Sequence, residues 1–376
     1  MSQRNIFVLG VTLIVVLTVS IIAATDWLGN INSTLEFFVG VEFAFSDNLD
    51  DLENLVDKVK DCTNLFVMGA LEFSFNQTVL DEACNYVVNA GLHLIVLFTD
   101  STKYDYSIFK WMKAAKQQYG EKFLGVYRFD EPGGNQLDNG SSMLVENATS
   151  YDDAAFQYTD SLRIIMNYYL DYTPMVFTAD YGLYWFDYKS NYSTVFVEFG
   201  WNHSRQLHTA LCRGAAKAYK KDWGAIITWE YSNVPYIESG QDLYDDMILA
   251  YKNGAKYVVI FDYPKIGQYG ILNQDHFEAL EDFWNYVHIN PQEHGIIQGE
   301  LAYVLPQHYG FGFRKPGDTI WGLWNADELS AKVWNDTNML LDRHGSSLDV
   351  VYSDPEFMDS VKSRYDILFF WNETIT

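Results

Sequence analysis

A chain of 376 residues with 48% hydrophobic and 17% aromatic content is long enough for a large domain with a sizeable core, and too apolar to be disordered. A net charge of −25 argues against nucleic acid and anionic membrane surfaces as partners. The 27 Tyr, 25 Phe and 11 Trp either fill a large core or line a groove in which pyranose faces stack on rings.

The N-terminus carries an uninterrupted apolar run at residues 6–24, IFVLGVTLIVVLTVSIIAA, with Arg4 before it and Asp26 after it. That length nearly spans a bilayer and exceeds the roughly 7–15 apolar residues of a cleaved signal. It predicts an uncleaved anchor with the bulk of the chain outside the cell, or a secreted protein if the chain is cut after Ala24. Asn-X-Ser/Thr sequons at Asn32, Asn76, Asn139, Asn147, Asn191, Asn202, Asn335 and Asn372 exceed the roughly three expected by chance and agree with export. Residues 1–35 therefore read as anchor or signal plus stalk.

From residue 36 apolar strand candidates alternate with amphipathic segments. The strands are expected at 37–41, 65–71, 93–98, 123–129, 175–178, 194–197, 225–228 and 257–261. Helical spacing marks 49–62, 79–89, 107–119, 152–170, 204–220, 242–253 and 275–287. Ala90-Gly91 and Gly254-Ala255 read as helix stops. Eight near-continuous apolar strands with helices between them indicate parallel strands covered by helices. The first four strands start 28, 28 and 30 residues apart. The count and a span of about 250 residues predict a (β/α)8 TIM barrel over 36–289, an open doubly wound sheet being the alternative. Two connections are irregular: a long polar loop at 133–150, and YGLYWFDYKSNYS at 181–193, too short for a full helix. Residues 290–376 read as a linker and a small α/β domain, with strands at 301–305, 349–352 and 367–371 and a helix at 329–343.

The cysteines, Cys62, Cys84 and Cys212, make no disulfide framework. Cys62 and Cys84 fall on adjacent expected helices and could pair after export; inert buried thiols are the other reading. No Cys/His spacing resembles a zinc site, and the Gly-rich segment 309–324 lacks a phosphate-loop Lys-Ser/Thr, so no metal or cofactor is expected. No Gly-X-Ser-X-Gly elbow is present, and Cys212 lies inside an expected helix, which disfavours a serine or cysteine hydrolase.

Each expected strand ends at or near an acid: Glu42, Glu72, Asp100, Asp130-Glu131, Asp180, Glu198, Glu230 and Asp262. A barrel gathers strand C-termini at one mouth, where active sites sit. So many acids there require Arg, helix termini or metal to offset them, or some must hold protons. Paired carboxyls across a sugar groove hydrolyse glycosidic bonds, one protonating the leaving oxygen while the other attacks the sugar or activates water. Glu131, stiffened by Pro132, is the acid/base candidate, with Glu230 or Glu198 as its partner. Arg128, Tyr127, Asp130, Asp180, Trp201, Asn202, Trp229, Tyr231, Asp262 and Tyr263 are candidate substrate contacts, and Trp185 is a further candidate for stacking on sugars.

The layout of 36–288 resembles the large clan of retaining (β/α)8 glycoside hydrolases, which carry the acid/base on strand four and the nucleophile on strand seven. GVYRFDEP at 125–132 is similar to a strand-four motif of carbohydrate-active barrels, and CRGAAKAYKKDWGAIITW at 212–229 resembles their passage into strand seven. The resemblance implies that Glu131 and Glu230 hold those two positions. Asp130 departs from the clan, which commonly has Asn there. The C-terminal module is similar to the glutamine-amidotransferase-like domain of certain β-galactosidases, shortened and without the amidotransferase Cys. The expected function is a surface-anchored glycosidase acting on a carbohydrate partner. The alternatives are a non-catalytic extracellular glycan-binding barrel, or a structural envelope protein whose acids bind Ca²⁺.

Overall fold

A computed structural model describes residues 37–140 and 142–375; the expected anchor and stalk, with Asn32, lie outside them. Among the described residues no helix is long and apolar enough to cross a membrane.

Eight parallel strands form a closed barrel: β1 (Phe38–Phe43), β2 (Leu65–Met68), β3 (His93–Phe98), β4 (Phe123–Arg128), β5 (Val176–Asp180), β6 (Thr194–Phe199), β7 (Asp222–Ile227) and β8 (Tyr257–Asp262). β8 pairs back onto β1 over six residues, from Phe38↔Tyr257 to Phe43↔Asp262, which rules out the open sheet. The connecting helices follow from local sequence. In Leu49–Val59, Leu52, Leu55, Val56 and Val59 make one buried stripe, Asn48 caps the first turn by accepting from Asp50 N, and Lys58 sits in the last turn. The irregular connections contain the short helices Pro132–Leu137 and Tyr184–Lys189.

Side chains alternate across each strand, so one parity fills the barrel and the other packs under the helices. Phe177 and Ala179 of β5, Phe196 of β6 and Tyr257 and Val259 of β8 belong to the interior cluster. β4 breaks the alternation once. Its register against β3 runs Leu94↔Phe123 and then Ile95↔Gly125, so an extra residue is inserted and both Leu124 and Tyr127 face the interior. Gly125 has φ 148°, and a Cβ there would lie 2.2 Å from the carbonyl oxygen of Met175. Only glycine fits.

The C-terminal segment forms a three-stranded parallel sheet in the order β10 (Leu348–Tyr352), β9 (Leu301–Leu305), β11 (Ile367–Phe370). It packs on the barrel helix Arg205–Tyr219 through a buried ion network. Arg213 Nε donates to Asp349 Oδ1 at 2.7 Å, and Lys217 Nζ and the Tyr365 hydroxyl reach Asp349 Oδ2 at 2.9 and 2.8 Å. Trp185 belongs to this seam as well. It is buried against Tyr219, Tyr352 and Phe357, so it is core and not a sugar platform. All three cysteines are free. Burial pushes the Cys62 thiol up to about 11 and those of Cys84 and Cys212 well above the usual range, which keeps them unreactive.

Candidate functional site

A cavity of about 280 Å³ opens at the C-terminal mouth of the barrel. Its charged lining is entirely acidic: Glu42 from β1, Asp130 and Glu131 after β4, and Glu198 from β6. Strand parity sends Glu42 and Glu198 inward. Glu198 is level with Ile226 of β7, and Glu42 with Phe261 of β8. Gly69 makes room for Glu42, since a Cβ there would lie 2.3 Å from its Oε1. The wall is aromatic. Trp229 stacks on Tyr263 (centroids 5.9 Å apart, planes 14° apart), Trp201 meets Trp229 edge-on, and Trp229 Nε1 donates to the Tyr263 carbonyl at 2.6 Å.

Glu131 and Glu198 line the cavity together, near enough that each shifts the other's affinity for protons. Burial, then the Asp130 and Asp180 charges, push Glu131 up to about 8. Burial and the neighbouring Glu131, Asp130 and Asp180 carboxylates raise Glu198 well above its ordinary value. Burial, with the Asp130 charge, also raises Glu42 to about 8. Asp130 is accessible from the cavity, yet protein surrounds it on most sides and this desolvation raises it; the Tyr127 hydroxyl, donating to Oδ1 at 2.6 Å, opposes the rise. Tyr127 also accepts from Ala179 N at 2.9 Å, which fixes the ring beneath the acids.

The backbone around these groups is strained. Phe129, Glu131, Trp201 and Asn202 have φ of 55°, 53°, 52° and 60°. Such conformations cost about 1–3 kcal/mol each and persist where surrounding contacts impose them. For Glu131 the contacts come from Asp180. It is fully buried and accepts from Gly133 N at 2.5 Å and Gly134 N at 2.8 Å, and from Tyr181 N and Gly182 N. Burial pushes Asp180 to about 7 against the N–H groups of Gly133, Gly134 and Tyr181. The neighbouring Asp187 carboxyl, which receives the Tyr158 hydroxyl at 2.7 Å, adds to the cluster and is itself pushed well up by burial and the Asp180 charge.

The candidates from sequence divide accordingly. Glu131, Glu198, Tyr127, Asp130, Trp201, Trp229 and Tyr263 line the cavity; Arg128, Asp180, Asn202, Glu230, Tyr231 and Asp262 do not. Asp180 follows inward Ala179, and Asp262 follows Phe261, so both point out between strands and helices. Asp180 clamps a turn, while Asp262 Oδ1 accepts from Ile271 N at 2.8 Å, and neither is placed to bind substrate. Arg128 follows inward Tyr127; it is buried beneath Phe129 and pairs with Asp100 at 2.5 Å. β7 runs from 222 to 227, three residues earlier at its start than expected, so Glu230 falls in the following loop. There it pairs with Arg205 at 2.9 Å beside Glu238 and Asp246, outside the cavity. The strand-seven carboxyl implied by the clan resemblance is thus absent, and Ile226 faces the cavity from β7. Glu72 is exposed on the helix Leu71–Phe75. Asn202 and Tyr231 are exposed on the rim. Glu42 is the site residue missing from the sequence candidates; its parity with buried Phe38 and Gly40 in FVGVEF was the available signal. Among the described residues no cluster of three or more His, Cys, Asp or Glu side chains is arranged to hold a metal ion.

No protein-family model and no characterised protein sequence matches the chain. Solved structures do, and glycoside hydrolases recur among them. α-L-Fucosidase isoenzyme 2 from Paenibacillus thiaminolyticus is 10% identical over 88% of this chain, with a TM-score of 0.49, and this chain spans 63% of its length. Endo-1,4-β-mannanase from Eisenia fetida is 9% identical over 67% of this chain and 90% of its own, with a TM-score of 0.41. A D-psicose 3-epimerase is 10% identical over 69% of this chain and 99% of its own, with a TM-score of 0.38. Likeness at this level extends to the barrel and does not select a reaction.

Proposed function

We propose that the chain is a carbohydrate-active enzyme, a glycoside hydrolase using Glu131 and Glu198 as its carboxyl pair. One observation carries the reading: two carboxyls that share an aromatic-walled cavity at the barrel mouth and perturb each other, with Glu131 raised to about 8 so that a proton is available near neutrality. Glu131, more open than Glu198, gives its proton to the leaving oxygen as the glycosidic C–O bond breaks. Water completes the sugar, and its proton returns to the pair. Tyr127 and the Asp180 clamp hold the donor in place. The test is hydrolysis of a panel of neutral glycans by the full chain and by Glu131→Gln and Glu198→Gln. Full activity in Glu131→Gln on a confirmed substrate overturns the assignment.

A specific observation favours a second reading, a glycan-binding barrel without hydrolysis. The strand-seven carboxyl of the resembling clan has no counterpart in the cavity: Ile226 faces it from β7, and Glu230 is held by Arg205 outside it. Tight glycan binding with no turnover by the unsubstituted chain selects that reading. We also infer attachment at the cell surface through residues 6–24. Recovery of the full chain in the soluble fraction, uncut at its N-terminus, overturns it.

A further inference from the structure

Glu131 belongs to two cavities. On the far side of it from the aromatic wall lies a second depression of about 590 Å³, lined by Leu71, Thr99, Phe129, Asn135 and Leu144 among others. Leu97, Asp130 and Glu131 line both spaces, so the two adjoin at the Asp130–Glu131 carboxyls and together outline a trough. The first cavity is not closed off at its other end. Trp201 and Tyr263, which form its wall, are 41% and 44% exposed, and Tyr231 on the loop after Trp229 is 48% exposed. Aromatic faces therefore continue from the cavity onto the open rim.

A site that takes one terminal sugar needs a wall behind that sugar. Here there is space on one side of the carboxyls and an open aromatic shelf on the other. Charge narrows the class of occupant. The first cavity presents only acids, and the one cation of the second, Arg128, is already paired with Asp100. A uronic or sulfated sugar would find no unpaired cation in either lining to offset the cost of desolvating its charge. Rings that stack on Trp and Tyr through apolar C–H faces fit the lining.

From this we infer that the trough holds an internal stretch of an uncharged glycan chain, threaded past Glu131 with sugar units on both sides, so that cleavage falls within the chain. The inference rests on the glycosidase reading for the cleavage, and on the trough alone for the binding.

The experiment has two readouts. The full chain is incubated with borohydride-reduced neutral polysaccharides (glucan, mannan, galactan, xylan and chitin oligomers), and early products are sized by mass spectrometry. Glu131→Gln is titrated in parallel with two- to six-unit oligomers of the same sugars. Oligosaccharide products of two or more units and affinity that tightens with chain length are expected. Trp201→Ala, placed in the Glu131→Gln background, weakens the six-unit ligand about tenfold. Thr99→Trp, which fills the second cavity, removes the length dependence. Release of single sugars only, with no effect of length, overturns the inference and leaves the glycosidase reading standing. Length-dependent binding without turnover supports the trough and overturns the glycosidase reading. A folded protein that neither binds nor cleaves any member of the panel overturns both.

Discussion

The barrel mouth and the seam beneath the C-terminal sheet both bury carboxyl groups, and they treat them in opposite ways. At the seam Asp349 is met by Arg213, Lys217 and the Tyr365 hydroxyl, while Arg213 spends its remaining N–H groups on Asn253 Oδ1 and the carbonyls of Ile297, Ser346 and Leu348. Charge there is balanced by charge. At the mouth Glu42, Asp130, Glu131 and Glu198 share a cavity with no Lys, Arg or His in its lining, and their affinity for protons rises instead. The first arrangement holds two parts of the molecule together. The second keeps titratable protons where a ligand can reach them, at the expense of local stability.

Substitutions at the two places should separate these roles. Glu131→Gln should lower kcat/KM about 10²–10⁴-fold on a cleaved glycan while the melting temperature holds or rises, because an amide needs no charged state. Asp349→Ala strands two cations, and urea unfolding should show a loss of about 3–5 kcal/mol, with activity per folded molecule retained. Asp180→Ala frees the Gly133–Gly134 turn; kcat should fall about tenfold or more with KM little changed, and Asp180→Asn should restore part of it because one carbonyl oxygen still accepts.

The pH dependence gives smaller effects with definite signs. Glu131, raised to about 8, keeps its proton through neutrality, so activity should decline as pH rises through about 8. Glu42 and Asp262, also raised to about 8, bind protons in the folded state that the unfolded chain has already released. Their contribution to stability is therefore greatest at or below the ordinary carboxylate range and is lost as pH climbs from there to about 8. Glu42→Gln should flatten that part of a stability-against-pH curve measured by urea unfolding. A curve that rises across this window would contradict protonated acids at the mouth.

Much of the fold was legible because each strand is a short apolar run bounded by helix stops, and its existence depends little on where it ends. The site depended on parity, which is less forgiving. Asp180 and Asp262 look equivalent to Glu198 in sequence, each an acid near the end of an apolar run. The residue before each of them, Ala179 or Phe261, already faces inward, so the pleat turns the acid away. Glu230 was misplaced because the hydrophobic stretch AIITW extends past the hydrogen-bonded strand, which begins back at Asp222. Trp185 looked like a rim aromatic because nothing local announces the sheet that covers it from more than 150 residues away.

The bulge at Gly125 carries one last consequence. Two residues of β4 sit against one of β3 there, and everything downstream inherits the resulting frame: Tyr127 under the acids, Arg128 behind the wall, and then the turn that aims Glu131. β4 should therefore tolerate exchange of side chains far better than a change in count. Deleting a single residue between Phe123 and Tyr127 would leave composition almost untouched and turn the strand inside out, presenting a guanidinium to the cavity where a phenol now stands.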